Sequence, residues 1–378
     1  MAGQAVPAHD AAADSAEGRD VAATEHQGEV SGDELGAVLD AAPPAVTEVE
    51  VAALARERFG LEAAVRPLTG ERDRNFHLRA ADGAEYVLKV IHPAEEPAVS
   101  DFQSRALLHL AETGPDLPVP RLHPPLEGGA PEALWRRPGQ PDCRVRVLDY
   151  LPGRPLHLTR PGPAQRAAVG ATLARLDLAL RDFRHPAEEH ALMWDIQHAL
   201  RLRPLVAHLP DAPDRELADA VLERFATHAV PRLATLRRQV VHNDFNPHNI
   251  LADEARDDRV AGIIDFGDMV RAPLVQDLAT AAAYQMTEEG HPLEGPAQLA
   301  AAFHAVCPLE DGELSVLADL IATRLAVAVT ISGWRAARQP QNAPYILRNY
   351  PRSLAGLRRL GALPRAEAET YLRKALNP

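Results

Sequence analysis

The 378-residue sequence predicts an α+β fold of two lobes, a small antiparallel sheet followed by a mostly helical remainder. Short strand patterns dominate residues 63–91, and apolar residues at helical spacing dominate from about residue 165 onward. Between the helical segments lie two short apolar strands, each ending in a polar turn, within 240–251 and 262–268. We expect these two turns to bring acids and an amide close together.

The net charge of −13 is distributed unevenly along the chain. Residues 1–46 hold nine acids and a single arginine, and they contain no Phe, Trp or Tyr. Such a tail cannot bury enough apolar surface to offset the entropy lost on ordering, so we expect it to be disordered. An acidic surface repels phosphate backbones, which argues against a nucleic-acid partner and favours a cationic ligand.

We expect a cytoplasmic protein with no membrane partner. The N-terminal segment lacks a basic start followed by an apolar run, so no secretory signal is predicted. The apolar stretch at 317–334 contains Asp319 and Arg324 and falls short of a membrane span. Cys143 and Cys307 match no disulfide or metal-binding spacing, so we expect buried thiols in a reducing compartment.

The first elements are marked by their end signals. Thr47 and Glu50 form a capping box and Gly60 is a stop signal, which together predict a helix over about 48–59. Asp-Gly at 82–83 joins two alternating runs, which is typical of a hairpin. Strands are expected at 63–68, 74–80, 84–91 and 144–151. Further helices are expected at about 98–112, at 165–183, within 212–238 and then on to about residue 338.

The two polar turns carry the residues that phosphoryl transfer requires. This reaction needs cations across the phosphates and an acceptor hydroxyl held in line. Asp244 can accept the hydroxyl proton, and Asn249 and Asp265 can hold Mg²⁺. Their spacing matches the Asp-x-x-x-x-Asn loop and the Asp-Phe-Gly turn of kinases, with His242 at the start of the loop. Each aspartate alone would be an ordinary turn residue, but together they favour a kinase.

These motifs resemble a known superfamily. His-Asn-Asp-Phe-Asn-Pro-His-Asn-Ile-Leu at 242–251 and Ile-Ile-Asp-Phe-Gly-Asp at 263–268 are similar to the aminoglycoside phosphotransferase and choline kinase superfamily. The segments at 70–76 and 194–196 are most similar to hydroxylysine kinases and to the phosphotransferase domains fused to class III aminotransferases. The resemblance covers about residues 47–350.

The resemblance implies a protein-kinase-like fold with a nucleotide-binding N-lobe over 47–148 and a helical C-lobe over 149–378. The C-lobe would carry the catalytic loop, the metal-binding loop and the acceptor site. The loop at 69–74 occupies the place of the phosphate-covering loop, although it has a single glycine. Arg72 or Arg74 could contact phosphate there, or both could be solvated surface arginines.

Lys89 interrupts an otherwise apolar strand, so it needs a partner or faces a cleft. The resemblance implies that it holds the α and β phosphates of the nucleotide, whereas the alternative is a lysine on a solvent-facing edge. Kinases orient this lysine with an acid from the next helix. This chain has Gln103 at that position, with Asp101 or Glu96 as substitutes, unless the amide serves alone.

The resemblance assigns roles to three further residues: Asp149 and Leu151 at the nucleotide base, and Asp277 beneath the catalytic loop. The backbone at Asp149 and Leu151 would contact the adenine or guanine edge, although a plain exit from a strand explains this composition equally well. Asp277 opens a helix, where an aspartate is commonly a cap. In the superfamily the matching residue supports the backbone of the catalytic loop.

The acceptor side is the least defined part of the site. The resemblance places Asp195 and Asp268 near the acceptor, and the alternative for the Trp194 segment is an ordinary core tryptophan beside a helix cap. Arg324 lies in a strongly apolar run, where burial demands a carboxylate partner. That partner could be a substrate carboxylate or an internal ion pair.

The sequence therefore predicts a magnesium-dependent small-molecule kinase. It would transfer the γ-phosphate of ATP or GTP to a hydroxyl of a small amine or amino acid, and the resemblance suggests GTP and 5-hydroxylysine. Aminoglycosides and other amino alcohols are alternative acceptors. Two other classes stay open: a catalytically inactive nucleotide-binding regulator, suggested by Gln103 and the glycine-poor loop, and an interaction module driven by the acidic tail.

Overall fold

The computed structural model describes residues 43–70 and 72–376. The prediction of a disordered tail at 1–46 therefore falls almost wholly outside the described residues. Val46, at the end of that segment, is buried in the core of the first lobe. Cys143 and Cys307 are buried free thiols, as predicted.

An antiparallel sheet forms the first lobe. Its strands are Ala63–Leu68 (β1), Arg74–Ala80 (β2), Glu85–Val90 (β3), Leu122–His123 (β4), Ala133–Trp135 (β5) and Cys143–Asp149 (β6). The order is β1-β2-β3-β6-β4, and β5 also pairs with β6. The predicted hairpin joins β2 and β3, and its register places Asn75 opposite Lys89. Arg146 lies opposite Lys89 on the other side, so the lysine occupies a central strand rather than an edge.

Two helices pack against this sheet in different ways. Helix α1 (Glu48–Phe59) has the predicted capping box and Gly60 stop, and its Val51 and Leu54 join the core of the first lobe. Helix α2 (Pro97–Thr113) begins close to its predicted position. Its buried Phe102, Ala106, Leu107 and Leu110 belong instead to the large core of the second lobe, so α2 links the two lobes.

The site lies between short strand pairs in the second lobe. Arg238–Val241 (β8) pairs with Val270–Pro273 (β11), and Val260–Ile263 (β10) pairs with Ile250–Ala252 (β9), which also pairs with Arg154–Pro155 (β7). The two apolar strands expected before the polar turns are β8 and β10, whereas β7 and β11 were not predicted. Both polar turns therefore begin where a buried strand ends.

Helices make up most of the second lobe. They are α3 (Pro163–Leu180), α4 (Ala212–Arg224), α5 (Val230–Leu233), α6 (Leu274–Ala283), α7 (Glu294–Val306), α8 (Asp311–Arg338), α9 (Ala343–Ile346), α10 (Tyr350–Gly361) and α11 (Arg365–Leu376). The helical expectation for 212–238 was partly wrong, because a π-helical turn at Phe225–Ala229 interrupts it and a strand begins at Arg238. The irregular 3₁₀ segment Ile196–His208 and the helices after Arg338 were not predicted.

Helix α8 is the central helix of the large core. Its 28 residues are long and apolar enough to cross a membrane, so the expectation that this stretch falls short of a span was wrong. However, 94% of its most apolar 18-residue window is buried inside the protein. The apolar residues of α8 are thus used for packing against other helices of the lobe.

Candidate active site

Asp244 and Asn249 meet in the turn between β8 and β9. The Asn249 side-chain amide donates to the Asp244 Oδ2 at 2.7 Å and to the Asp244 main-chain carbonyl at 3.0 Å. The Asn246 amide also donates to Oδ2, at 2.9 Å. Burial raises the pKa of Asp244, although the nearby Arg324 guanidinium opposes that rise. The turn therefore holds one acid in a fixed position, with the amide oxygen of Asn249 directed elsewhere.

Asp277 holds the backbone at the start of this turn. Its two carboxylate oxygens accept hydrogen bonds from the His242 N–H at 2.9 Å and the Asn243 N–H at 2.8 Å. Asn243 has a φ of 63°, in the left-handed region that few non-glycine residues adopt. Gln276 also donates to the Asn243 side chain, at 2.9 Å. Two successive donors on one carboxylate thus keep a strained backbone in place.

His242 lies beneath the turn and contacts the second turn. Its Nε2 lies 3.2 Å from the Ile264 carbonyl, and its Nδ1 accepts from the Asp244 N–H at 3.3 Å. A carbonyl can only accept and an N–H can only donate, so the hydrogen resides on Nε2. His242 is fully buried between Phe245 and Phe266. This geometry suits a positioning role rather than contact with a substrate.

The second turn places Asp265 and Asp268 close to the first. The Ile264 N–H donates to the Asn249 carbonyl at 2.9 Å, which joins the two turns directly. Asp265 has a φ of 62° and an exposed side chain. Burial, together with the charges of Asp244 and Asp265, raises the pKa of Asp268 to about 8. Three acids thus converge, which is an environment that attracts cations.

Lys89 forms an ion pair with Asp73, at 2.9 Å between Nζ and Oδ2. The suggested substitutes Asp101 and Glu96 do not pair with it: Asp101 binds Arg105 and His185, and Glu96 caps α2 through its backbone. Sequence reasoning missed Asp73 because it searched the following helix. The signal was present, since Asp73 lies within the segment at 70–76 that carries the hydroxylysine kinase resemblance.

Gln103 joins α2 to the second turn. Its amide nitrogen donates to the Gly267 carbonyl at 3.0 Å, and its oxygen accepts from Arg146 at 2.6 Å. It is buried, and its hydrogen bonds among the described residues go to Gly267 and Arg146 rather than to Lys89. In this chain the residue at the usual acid position therefore fixes the Asp-Phe-Gly turn.

Arg72 and Arg74 lie where β2 begins, and Asp149 and Leu151 lie where β6 ends. Arg72 pairs with Glu95 and opposes the rise in the pKa of Asp268, and Arg74 lies over the Phe76 ring. The Asp149 carboxylate accepts from His123 at 2.6 Å and from the Arg121 N–H at 3.2 Å. Within the described part of the chain, the N–H of Leu151 has no backbone hydrogen bond, which leaves it available to a ligand.

Asp195 is not brought to the open face of the site. It is buried and accepts hydrogen bonds from the Gln197 N–H, the Gln197 amide and the Gln276 amide. Because Gln276 also binds Asn243, Asp195 lies behind the turn that carries Asp244 and stabilises it. Trp194 is half-buried, and its carbonyl accepts from Arg324 at 3.0 Å.

Arg324 reaches the catalytic turn from the middle of α8. Its Nη2 lies 3.1 Å from the Asp244 Oδ1 and 3.2 Å from the Tyr284 hydroxyl. The guanidinium lies between the Trp194 and Tyr284 rings, at 5.3 and 5.7 Å from their centroids. An internal ion pair, one of the two predicted alternatives, is present.

Asp177 on α3 is another buried acid that the sequence analysis overlooked. It is 1% exposed, and none of the described residues donates a hydrogen bond to its carboxyl oxygens. Burial, and then the Asp277 carboxylate, raise the pKa of Asp177 well above its ordinary value. The sequence pattern that could have revealed Asp177 is an acid on the same helical face as Leu173, Leu176 and Leu180.

The oxygen donors on the two turns fit Mg²⁺ as kinases bind it. Among the described residues, no group of three or more His, Cys, Asp or Glu side chains could hold a metal. Magnesium in kinases needs fewer, because one or two protein oxygens act together with substrate phosphates. The Asn249 oxygen and the exposed Asp265 carboxylate supply this donor set, on turns joined by a backbone hydrogen bond.

Known proteins resemble this chain in sequence and in fold. The model of the phosphotransferase enzyme family (APH) matches residues 64–316. A hydroxylysine kinase of Danio rerio is 29% identical over 337 residues, covering 86% of this chain and 94% of the relative. Of solved structures, a microcompartment-associated aminopropanol kinase has a TM-score of 0.64 at 17% identity, covering 87% of this chain and 98% of that one. An amicoumacin kinase in complex with AMP-PNP, Ca²⁺ and Ami has a TM-score of 0.62 at 13% identity, with 89% and 99% covered.

Proposed function

Because this chain belongs to the phosphotransferase enzyme family and is a small-molecule kinase with a hydroxyl acceptor, we propose that it phosphorylates 5-hydroxylysine. The donor would be ATP or GTP, with GTP suggested by the hydroxylysine kinase resemblance. The nucleotide would lie against the sheet of the first lobe, and the acceptor would lie against the helical lobe. Two buried free thiols support a reducing, cytoplasmic setting.

One observation carries this proposal: Asn249 binds Asp244 at 2.7 Å, while its carbonyl accepts the N–H of Ile264, the residue directly before Asp265. The base and both metal-binding oxygens are thereby fixed relative to each other before any ligand arrives. Preorganisation of this kind is what phosphoryl transfer demands, since the protein contributes mainly position and charge. A regulator that never transfers phosphate has no need for this arrangement.

The residues would act as follows. Asp244 accepts the proton of the substrate hydroxyl while that oxygen forms a bond to the γ-phosphorus and the bond to the β-phosphate oxygen breaks. The products are a phosphate monoester and a nucleoside diphosphate. Lys89 holds the phosphates, and the backbone at Asp149 and Leu151 contacts the base. Asn249 and Asp265 would hold Mg²⁺, which would neutralise the phosphate charge.

The acceptor class follows from the relatives and from charge. The Danio rerio relative is a hydroxylysine kinase aligned over nearly its whole length. Asp244 and Asp265 supply negative charge on the acceptor side, which suits the two ammonium groups of hydroxylysine, and the raised pKa of Asp268 reflects that charge. We place Asp268 in contact with the acceptor and Asp195 behind it.

A direct assay tests the proposal. The purified protein is incubated with Mg²⁺ and with ATP or GTP separately, against hydroxylated amino acids, amino alcohols and aminoglycosides, and added phosphate is measured by mass spectrometry. We expect phosphorylated hydroxylysine, and a loss of roughly 10²–10⁴-fold in kcat for Asp244→Asn because the general base is removed.

The matched control is Asp258→Asn, which alters an exposed acid paired with Arg256 in a surface loop of the same lobe. It should retain wild-type turnover. Phosphate on an aminoglycoside alone would refute the acceptor assignment but leave the kinase intact. Equal turnover by wild type and Asp244→Asn would refute the role of Asp244 as the general base.

A further inference from the structure

Arg324 is a buried cation at the acceptor side whose hydrogen-bonding capacity is incompletely used. It is the largest fully buried side chain of the described residues, with a relative exposure of 1%. Nη1 donates to the Trp194 carbonyl, and Nη2 donates to Asp244 and the Tyr284 hydroxyl. Its Nε has no hydrogen-bond partner among the residues that the structure describes. A buried guanidinium with an unused N–H can still donate a hydrogen bond to a second anion.

The carboxylate that Arg324 contacts belongs to the proposed catalytic base. Asp244 Oδ1 receives this guanidinium, and Oδ2 already receives the amides of Asn246 and Asn249. Of these three donors, only Arg324 carries a positive charge that a second carboxylate could share.

The groups that surround the guanidinium, rather than the guanidinium itself, reach the surface. Trp194 and Tyr284, which lie on either side of the guanidinium, each keep part of their surface exposed. The Asp244 side chain is 19% exposed, and its Oδ1 is 3.1 Å from Nη2. A substrate with its hydroxyl against Asp244 therefore has Arg324 in its immediate vicinity.

We propose that Arg324 is the specificity-determining receptor for the carboxylate of an α-amino acid acceptor, and that Asp244 occupies it only in the absence of substrate. This inference rests on the proposed kinase function and narrows its substrate class to hydroxylated amino acids. The incoming carboxylate binds N–H groups of Arg324, including the unused Nε–H. Asp244 then gives up this contact and faces the substrate hydroxyl.

A purely structural ion pair makes a different prediction. In that case Arg324 merely holds Asp244, and a substrate without a carboxylate is phosphorylated as well as one that has it. Substitution of Arg324 would then lower activity toward both substrates by the same factor. The ratio between two matched substrates therefore separates the two roles.

The experiment compares 5-hydroxylysine with the amine that remains when its carboxylate is removed. For wild type we expect kcat/KM to be at least about 10²-fold higher for the amino acid, since a site built around a buried polar group rejects an analogue that leaves it unpaired. For Arg324→Met this ratio should fall to about 1 to 5, mainly through loss of the amino acid reaction. The control is Arg224→Lys, which alters a different arginine that forms an ion pair with α8, through Asp319, and keeps its positive charge. This variant should preserve the wild-type ratio.

A second measurement on wild type needs no variant that could misfold. Lysine has the carboxylate but lacks the acceptor hydroxyl, and cadaverine lacks both. Lysine should inhibit competitively against 5-hydroxylysine, and cadaverine should inhibit at least about 10-fold more weakly. Equal kcat/KM for the two hydroxylated compounds, or equal inhibition by lysine and cadaverine, overturns this inference while the kinase stands. Phosphorylation of neither compound overturns the proposed acceptor together with this inference.

Discussion

The Lys89 ammonium pairs with the Asp73 carboxylate at 2.9 Å, and the other oxygen of Asp73 accepts the His92 N–H at 2.8 Å. Burial disfavours both charges, yet each is stabilised by its partner: the Lys89 charge and the His92 donor lower the pKa of Asp73, and Asp73 and Asp265 raise that of Lys89. Asp73 comes from the loop between β1 and β2 rather than from α2. The lysine is therefore oriented by the same loop that would cover the phosphates.

Replacement of Asp73 by alanine should release Lys89 from this orientation. We expect kcat/KM for the nucleotide to fall by about 10- to 100-fold, because a misplaced phosphate ligand costs that much. Steady-state kinetics at varied nucleotide concentration provides the measurement, and Asp82→Ala in the exposed β2–β3 turn is the control. A lower nucleotide KM in Asp73→Ala would mean that Asp73 competes with phosphate instead.

Gln103→Glu should impair this enzyme, although kinases commonly have an acid at this position. The Gln103 nitrogen donates to the Gly267 carbonyl at 3.0 Å, and a carboxylate there would place two acceptors in contact. We expect kcat to drop by about 10-fold, consistent with the loss of one buried hydrogen bond and its replacement by repulsion. Turnover equal to or above wild type, at an unchanged melting temperature, would contradict this role of the amide.

Asp177→Asn should make stability less dependent on pH. Because burial and Asp277 raise the folded-state pKa of Asp177 above the ordinary value of 3.8, the native protein keeps a proton that the unfolded chain releases. This group therefore favours folding most at pH below 3.8, and its contribution is lost as pH rises toward the folded-state pKa. The slope is about 1.4 kcal/mol per pH unit for one proton.

Urea unfolding of wild type and Asp177→Asn between pH 4 and 8 measures the difference. The free energy of unfolding of wild type should fall relative to the variant as pH rises. Asp182→Asn, on the surface just after the same helix, should follow wild type. Parallel curves for wild type and Asp177→Asn would show that Asp177 is ionised in the native state.

Gly170→Ala should destabilise the helical lobe. A Cβ at Gly170 on α3 would lie 2.1 Å from the Leu299 carbonyl of α7, a contact that only a shift of one helix could relieve. Overpacking of this kind costs about 1–3 kcal/mol or more, visible as a lower denaturation midpoint. Gly162→Ala, where nothing lies within 4 Å of the added Cβ, should change the midpoint little. Similar midpoints for both variants would refute the close helix contact.

The sequence by itself determined the catalytic turn and the Asp-Phe-Gly turn, because each is local. Each turn follows a buried strand and contains Asp together with Asn or Gly, which are residue types that form turns. The five-residue step from Asp244 to Asn249 then places the two side chains within hydrogen-bonding distance. The hairpin signal at 82–83 likewise defined the β2–β3 pairing. The capping box and Gly60 gave the bounds of the first helix for the same reason.

Only the tertiary structure decided which charges pair. The β2–β3 register brings Asp73 to the end of the strand that carries Lys89, and no spacing rule distinguishes it from Asp101 or Glu96. Arg324 reaches Asp244 across 80 residues because α8 crosses the core beside the catalytic turn. Such contacts depend on how helices pack, and packing is fixed by the shape of the whole core rather than by local preference.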